Sequence, residues 1–199
     1  MYYKGKKVDG PLAPGNDFHS YGNRIRAELS TRVPKNRKIK VLDVGTGFGS
    51  AATFLAKHLA KGSKVWTVDP SKEILDNARE KLSQEGVLSR ISIEFVQADA
   101  AKLEFENDFF DTIVSIMVLH HIENLGAVVG ELVRVLKKGG RLLLVDYAPK
   151  AGKKLEFLKR HHESDFFEPI EVMELIKQAG VSKAKLSIVK LWYLADATK

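Results

Sequence analysis

Three glycines and three aspartates carry the first chemical signal. The segment Asp43-Val44-Gly45-Thr46-Gly47-Phe48-Gly49 closes a short β-branched run that begins at Ile39. Glycines at such a turn let the backbone bend sharply and approach a ligand, and a helix that follows offers unpaired amide N–H groups. Asp69, with Pro70 after it, ends the next β-branched run. A carboxylate there can accept hydrogen bonds from both hydroxyls of a ribose. Asp99, followed by Ala100, ends the run after that. Three carboxylates at one sheet edge suit a ligand with amino, ribosyl and adenine N–H donors and little phosphate. A pyrophosphate would be repelled by Asp43, and the dinucleotide fingerprint G-x-G-x-x-G is out of register, because Ser50 stands where its third glycine belongs. Turn capping alone accounts for any one of these aspartates and poorly for three in register.

Imidazoles are the other candidates for chemistry, since they titrate near neutrality and can take a proton from a hydroxyl or a protonated amine. His120 and His121 are adjacent, so on a regular element they point in different directions, and one of them packs or caps instead of reacting. His19 lies far upstream and His161-His162-Glu163 far downstream. His120, His161, His162 and Glu163 could converge with Asp146 and Asp165, yet no pair has the i, i+4 spacing of a helical zinc site, and no metal is expected. Tyr147, Phe157, Phe166 and Phe167 either wall an apolar pocket or pack as core.

The elements that must hold these residues follow from periodicity. Residues 1–16 predict an irregular lead-in, and Tyr21, Ile25 and Leu29 at spacing four predict a helix that Pro34 bounds. Strands are expected at 39–44, 64–68, 91–97, 110–117 and 141–145, with helices at 50–59, 71–82 and 125–136 between them. The almost wholly apolar run from Phe110 to Met117 has the character of a buried parallel strand. Such alternation specifies an α/β doubly wound sheet, whose ligands sit outside the carboxyl ends of the strands where the winding reverses. Glu168-Pro169 opens a further helix that Gly180 closes, 184–194 is strand-like throughout and fits two terminal strands with a hairpin near Val189-Lys190, and 150–160 reads as a connecting loop and short helix.

Taken together, Asp43–Gly49, Val68-Asp69, Ala98-Asp99-Ala100 and Arg134-Val135-Leu136-Lys137-Lys138-Gly139-Gly140-Arg141-Leu142 resemble the class I S-adenosylmethionine-dependent methyltransferases, over roughly residues 38–148. Val118-Leu119-His120-His121-Ile122 is similar to a segment after the fourth strand in the branch that includes the ubiquinone/menaquinone biosynthesis methyltransferases. The resemblance implies a mostly parallel, seven-stranded Rossmann-like sheet with an antiparallel C-terminal strand and helices on both faces. The chain reads as one structural domain overall, with a basic arm and covering helix at 1–37 and the methyltransferase domain at 38–199.

Carried over residue by residue, the resemblance implies that Gly45, Thr46, Gly47 and Gly49 line the methionine side of S-adenosyl-L-methionine, with Asp43 near the amino group. Asp69 and Pro70 would flank the ribose, Asp99 and Ala100 would meet the adenine, and the stretch from Ser115 to His120 would pass beneath the sulfonium. Tyr21 is placed like residues that cover the cofactor. His19, Tyr147, His161 and His162 lie in the regions that usually build the acceptor pocket, and His120 or His121 is the candidate base. The product would be S-adenosyl-L-homocysteine.

Absent features prune the acceptors. The 199 residues contain no cysteine, which removes pyrimidine C5 methylation through a cysteine adduct and fits a reducing interior. The segment from Ser115 to His120 lacks the Asn/Asp-Pro-Pro-aromatic motif that related enzymes use for planar nitrogens, and the paired glutamates of arginine methyltransferases are missing. A small-molecule N or O nucleophile is the leading expectation. The first 40 residues hold ten Lys and Arg against three Asp and Glu, which equals the net +7 of the whole chain. That arm either attracts an anionic or macromolecular acceptor, such as protein lysine or RNA, or only solubilises. A non-catalytic S-adenosylmethionine-binding partner subunit is the alternative of another class, and nicotinamide-dependent oxidoreduction is disfavoured by Asp43 and Ser50. No apolar run approaches the ~20 residues of a membrane span, and the first residues lack a signal-peptide core, so a cytoplasmic protein is expected.

Overall fold

In the computed structural model, residues 2–3, 6–7, 16–149, 166–181, 183–189 and 191–199 are described, with side chains from Gly22 onward. His161, His162, Glu163, Asp165, Phe157 and the 150–160 connection lie outside the described residues. The backbone of the helix carrying His19 and Tyr21 is described and their side chains are not.

A two-residue pairing, β1 (Tyr2–Tyr3) with β2 (Lys6–Lys7), precedes helix α1 (Asn16–Ser30). The main sheet is built from β3 (Lys40–Val44), β4 (Lys64–Asp69), β5 (Ser92–Gln97), β6 (Phe110–Ile116), β7 (Leu136–Tyr147), β8 (Lys183–Val189) and β9 (Trp192–Thr198). Helices α2 (Ser50–His58), α3 (Lys72–Gln84), α4 (Leu125–Val135) and α5 (Pro169–Gln178) connect them. Their starts are legible chemically: Ser71 and Asn124 accept bonds from the amides of Ile74 and Ala127 as N-caps, and Pro169 occupies the first turn of α5.

The strand order is β5-β4-β3-β6-β7-β9-β8, with β9 antiparallel to both of its neighbours and the other strands parallel. The sheet is the expected mixed, seven-stranded, Rossmann-like one. Winding runs outward from β3 through β4 to β5, then resumes on the other side of β3 at β6, so the crevice between the carboxyl ends of β3 and β6 is the switch point. Alternate side chains feed two cores. Leu42, Val68, Leu144 and Tyr193 pack with α4 and α5 on one face, while Val41, Val65, Leu143 and Leu194 pack with Ile25 and Leu29 of α1 and Leu55 of α2 on the other.

Two features differ from expectation: the lead-in expected to be irregular holds the β1–β2 pairing, and the fifth strand of the main sheet begins earlier than expected. The break at Gly139-Gly140 lies inside β7, which starts directly after α4. Phe110 pairs with Leu136 and Thr112 with Arg141, so the intervening residues bulge, with Gly139 at φ 74° and its amide donating to Lys199 O. The terminal hairpin forms where expected, with Val189 opposite Trp192, although no Gly, Asn or Asp marks its turn.

Candidate active site

Asp43 sits on the last turn of pleat in β3, between Thr67 of β4 and Val114 of β6, with none of its surface exposed. Thr67 donates its hydroxyl proton to Asp43 Oδ2 at 2.9 Å, so the 2.7 Å contact between Thr46 and Thr67 has Thr46 as its donor. The other carboxylate oxygen, Oδ1, is buried without a hydrogen-bond partner. Burial pushes the Asp43 carboxyl up to about 7, opposed by the Thr67 bond and reinforced by the charge of Asp69. A buried polar atom normally has a partner, and this oxygen is therefore suited to a cationic donor brought by a ligand.

The glycine turn is fastened to β4, the amides of Gly45 and Thr46 both donating to Val68 O. Its glycines serve different ends. A Cβ on Gly45 would lie 2.3 Å from Val118, and one on Gly49 would lie 2.4 Å from Leu82, so packing forbids side chains there. Gly47, at φ 49°, has nothing within 4 Å of its would-be Cβ. It borders open space at the switch point.

Asp69 ends β4, nearly buried, and Ser71 N donates to its Oδ1 at 3.0 Å. Burial raises its pKa, against the amide bonds of Ser71, Gly47 and Thr46. The same carboxylate thus braces the glycine turn. Pro70 O accepts from Gln97 of β5. Asp99 stands two residues beyond Gln97, the register partner of Asp69, and is exposed, with Ala101 N donating to its Oδ1 at 2.8 Å beside Ala100. The three aspartates therefore step across adjacent strand ends. Ser115, buried at the end of β6, donates to Val44 O at 3.2 Å, which closes the crevice floor.

Beyond β6 the chain turns through Met117, whose φ of 57° is rare for a side-chain-bearing residue, into a single 3₁₀ turn, Leu119–His121. Asp146, at the end of β7, gathers this turn. It accepts from the backbone N of His120 at 3.0 Å, from His120 Nδ1 at 2.7 Å and from the amide of Tyr147 at 2.6 Å. A proton on Nδ1 facing the carboxylate would make Nε2 the acceptor nitrogen of the imidazole. Phe166 stacks at 5.4 Å and Tyr147 tilts at 5.7 Å from the His120 ring.

The expectation that His120 and His121 diverge fails. Their ring centroids are 4.1 Å apart, because one isolated 3₁₀ turn does not carry the second ring around a continuing helix. Sequence reasoning weighed Asp146 only as a metal ligand and passed over Thr67. The available signals were an acid closing an apolar strand at the same sheet edge, and a lone hydroxyl inside Val65-Trp66-Thr67-Val68. Among the described residues no three His, Asp or Glu are grouped as a metal site requires, and no helix is long and apolar enough to cross a membrane.

Comparison with known proteins agrees with this geometry. Residues 42–144 match the family described as "Methyltransferase domain". The chain is 36% identical over 125 residues to the methyltransferase GfsG of Streptomyces halstedii, covering 63% of this chain and 44% of that protein. It is 33% identical over 136 residues to the ubiquinone/menaquinone biosynthesis C-methyltransferase UbiE of Pseudomonas putida, covering 68% and 51%. The chain spans about half the length of the curated relatives it matches. A SAM-dependent methyltransferase from Aquifex aeolicus superimposes with a TM-score of 0.73 at 21% identity, covering 89% of this chain and 96% of that one, which shows the shared fold. With the matched region spanning the glycine turn, all three strand-end aspartates and the histidine turn, the chain belongs to the class I S-adenosylmethionine-dependent methyltransferase family.

Proposed function

We propose that this chain transfers the methyl group of S-adenosyl-L-methionine, by in-line displacement, to a nitrogen or oxygen nucleophile of a small molecule. The observation that carries the reading is the orphaned Oδ1 of Asp43 beside the open space at Gly47, at the switch point of the sheet. The cofactor supplies a methyl group already activated by its sulfonium. The protein's task is to align the partners and exclude water.

In this reading Asp43 takes the ammonium, Gly45, Thr46, Gly47 and Gly49 line the methionine end, Asp69 and Pro70 the ribose, and Asp99 and Ala100 the adenine. Tyr21, in the arm and covering helix of 1–37, is assigned to the cofactor, and His19, Tyr147, His161 and His162 to the acceptor side; of these, the side chain of Tyr147 alone is among those described. Ser115 acts through its bond to Val44 O, keeping β3 and β6 together under the sulfonium. His120 Nε2 accepts the proton of the nucleophile, Asp146 holds the imidazole in the required tautomer and orientation, and His121 packs against it.

The UbiE relatives are named as C-methyltransferases, which favours a second reading, a carbon nucleophile made reactive by deprotonating a neighbouring hydroxyl. The same His120 lone pair would serve. Calorimetric titration with S-adenosylmethionine, S-adenosylhomocysteine and NADH, repeated on Asp69→Ala, tests the cofactor assignment. Binding of both adenosyl ligands that is lost on substitution supports it, whereas no binding, or preference for NADH, overturns it. Turnover by the purified chain with a small-molecule extract separates an enzyme from a non-catalytic partner subunit, and turnover only with protein or RNA acceptors moves the substrate class.

A further inference from the structure

The end of the sheet opposite the candidate site is cationic by construction. Lys38, Lys61, Lys64, Lys138, Lys183 and Lys185 are all exposed and sit at or before the amino ends of β3, β4, β7 and β8. None of them has an ion-pair partner among the described residues. The aspartates of this end are already occupied. Asp111 is held by Lys137 at 3.0 Å and Arg37 at 3.6 Å, Asp108 by Lys199, and Asp196 by Arg32 and Arg141. Glu106, and Glu94 at the same depth in β5 as Lys185 in β8, are exposed carboxylates with no ion-pair partner among the described residues. The three aspartates are therefore spent on other cations, and these two glutamates leave the six lysines in excess.

These cations form a row. Lys64 is the register partner of Lys40, and the Lys38 side chain lies over Gly62, so the starts of β3 and β4 share one cluster. At the other edge, a groove of about 650 Å³ between the end of α1 and strand β8 is lined by Lys183 and Lys185 and by Asp196 with its partners Arg32 and Arg141, so its unpaired charge is that of the two lysines. From β4 to β8 is five strand spacings, or roughly 24 Å. Over that length a nucleic-acid duplex presents on the order of a dozen backbone charges.

We propose that this amino-end face is a docking surface for a nucleic-acid duplex, contacted through its phosphates and not its bases. The large apolar side chains that are exposed, Phe48, Ile170 and Ile188, lie elsewhere, on the glycine turn, the start of α5 and the far end of β8. At the cationic face the half-buried Phe105 and Phe109 stack on each other, and the Lys40 ammonium covers the Phe109 ring at 3.7 Å, so among the described residues no fully exposed aromatic or apolar side chain stands there for unpaired bases or a bilayer. A membrane held there would also leave the glycine turn facing away from it. The docked duplex lies a strand length, roughly 17 Å, from the carboxyl ends, so it tethers the protein and is not its methyl acceptor. This inference stands whether or not the chain proves to be a methyltransferase.

Fluorescence anisotropy of a labelled RNA or DNA duplex of about 20 base pairs with the full chain, across a salt series, tests it. Wild type is expected to bind, and the triple variant Lys64→Glu, Lys138→Glu, Lys183→Glu to bind at least tenfold more weakly with a salt slope shallower by about 2–3. The charge-matched control Arg24→Glu, Lys72→Glu, Lys102→Glu is expected to retain binding, with thermal melting confirming that both variants fold. No binding by wild type at low salt overturns the proposal. So does equal loss in both variants, which would mean net charge alone, and so does preference for single strands or for phosphatidylserine vesicles over the duplex.

Discussion

Asp43 and Asp146 close two strands, β3 and β7, on either side of β6, and both are almost wholly buried. Their surroundings differ. Asp146 accepts three hydrogen bonds from its own chain, two of them from His120. Asp43 accepts one, from Thr67, and leaves an oxygen without a partner. Leaving a buried acceptor unpaired costs stability, so the fold gains nothing from Asp43 that a ligand does not return. Asp146 is committed to organising the histidine turn. We accordingly assign one aspartate to binding and the other to the architecture of the histidine turn.

Asparagine at each position separates the two most sharply. Asp43→Asn keeps an acceptor for Thr67 and removes the charge meant for the cofactor's ammonium. We expect affinity for S-adenosylmethionine to fall by on the order of 100-fold, with an unchanged or higher Tm, since a charged hydrogen bond is worth about 1.5–3 kcal/mol and a buried charge is removed. Asp146→Asn replaces an acceptor with a donor opposite His120 Nδ1. Its Tm should drop by roughly 5 °C while cofactor affinity stays within about twofold. Calorimetry and thermal melts read both, and the reverse pattern would dissolve the comparison.

The pH dependence sharpens it next. The folded-state pKa of Asp43, about 7, lies above the unfolded value of 3.8, because burial disfavours its charge. Between those values the folded protein binds more protons than the unfolded chain. The contribution of this group to stability is full below about pH 4 and is lost as pH rises through 7, a change on the order of 4 kcal/mol. Cofactor binding runs the other way, because the ammonium needs the ionised carboxylate. Affinity should climb up to about tenfold per pH unit between 5 and 7 and then level, with proton release on binding at pH 6. Asp43→Asn should flatten both curves. A wild-type affinity that does not change with pH would place the ammonium elsewhere.

The contrast between the two aspartates also marks what the sequence made legible. Asp43, Asp69 and Asp99 were readable because each ends a β-branched run, and strand-end acids in successive βα units must fall at one edge. The alternating elements fixed the sheet for the same reason. The partnership of Asp146 with His120 was not readable. It joins residues 26 apart through a single 3₁₀ turn and a positive φ at Met117, neither of which has a periodic signature. Nor was the bulge in β7, where glycines that mark a helix end in one context mark a looped-out stretch in another.

Gly47 and Gly45 test the binding side at smaller scale. Gly47→Ala meets no neighbour, so its cost to the fold is the left-handed backbone alone, about 1 kcal/mol. Its methyl enters the space we assign to the cofactor, and affinity should fall by roughly tenfold. Gly45→Ala instead collides with Val118, and its loss should appear in the melt. If Gly47→Ala binds S-adenosylhomocysteine as wild type does, the open space beside it is not the cofactor's.

Ser115→Ala is the smallest perturbation and asks which side of the comparison the crevice floor belongs to. The Ser115 hydroxyl donates to Val44 O across the switch point, and the substitution removes that buried bond. A cost of about 1 kcal/mol is expected, or a Tm lower by roughly 2–4 °C. Cofactor affinity should not move, because a hydroxyl engaged in holding β3 to β6 makes no separate contact with a ligand above them. A selective loss of affinity with no change in Tm would mean that the hydroxyl turns to the ligand when one is present, and that Ser115 stands with Asp43 as a binding group and not with Asp146 as a brace.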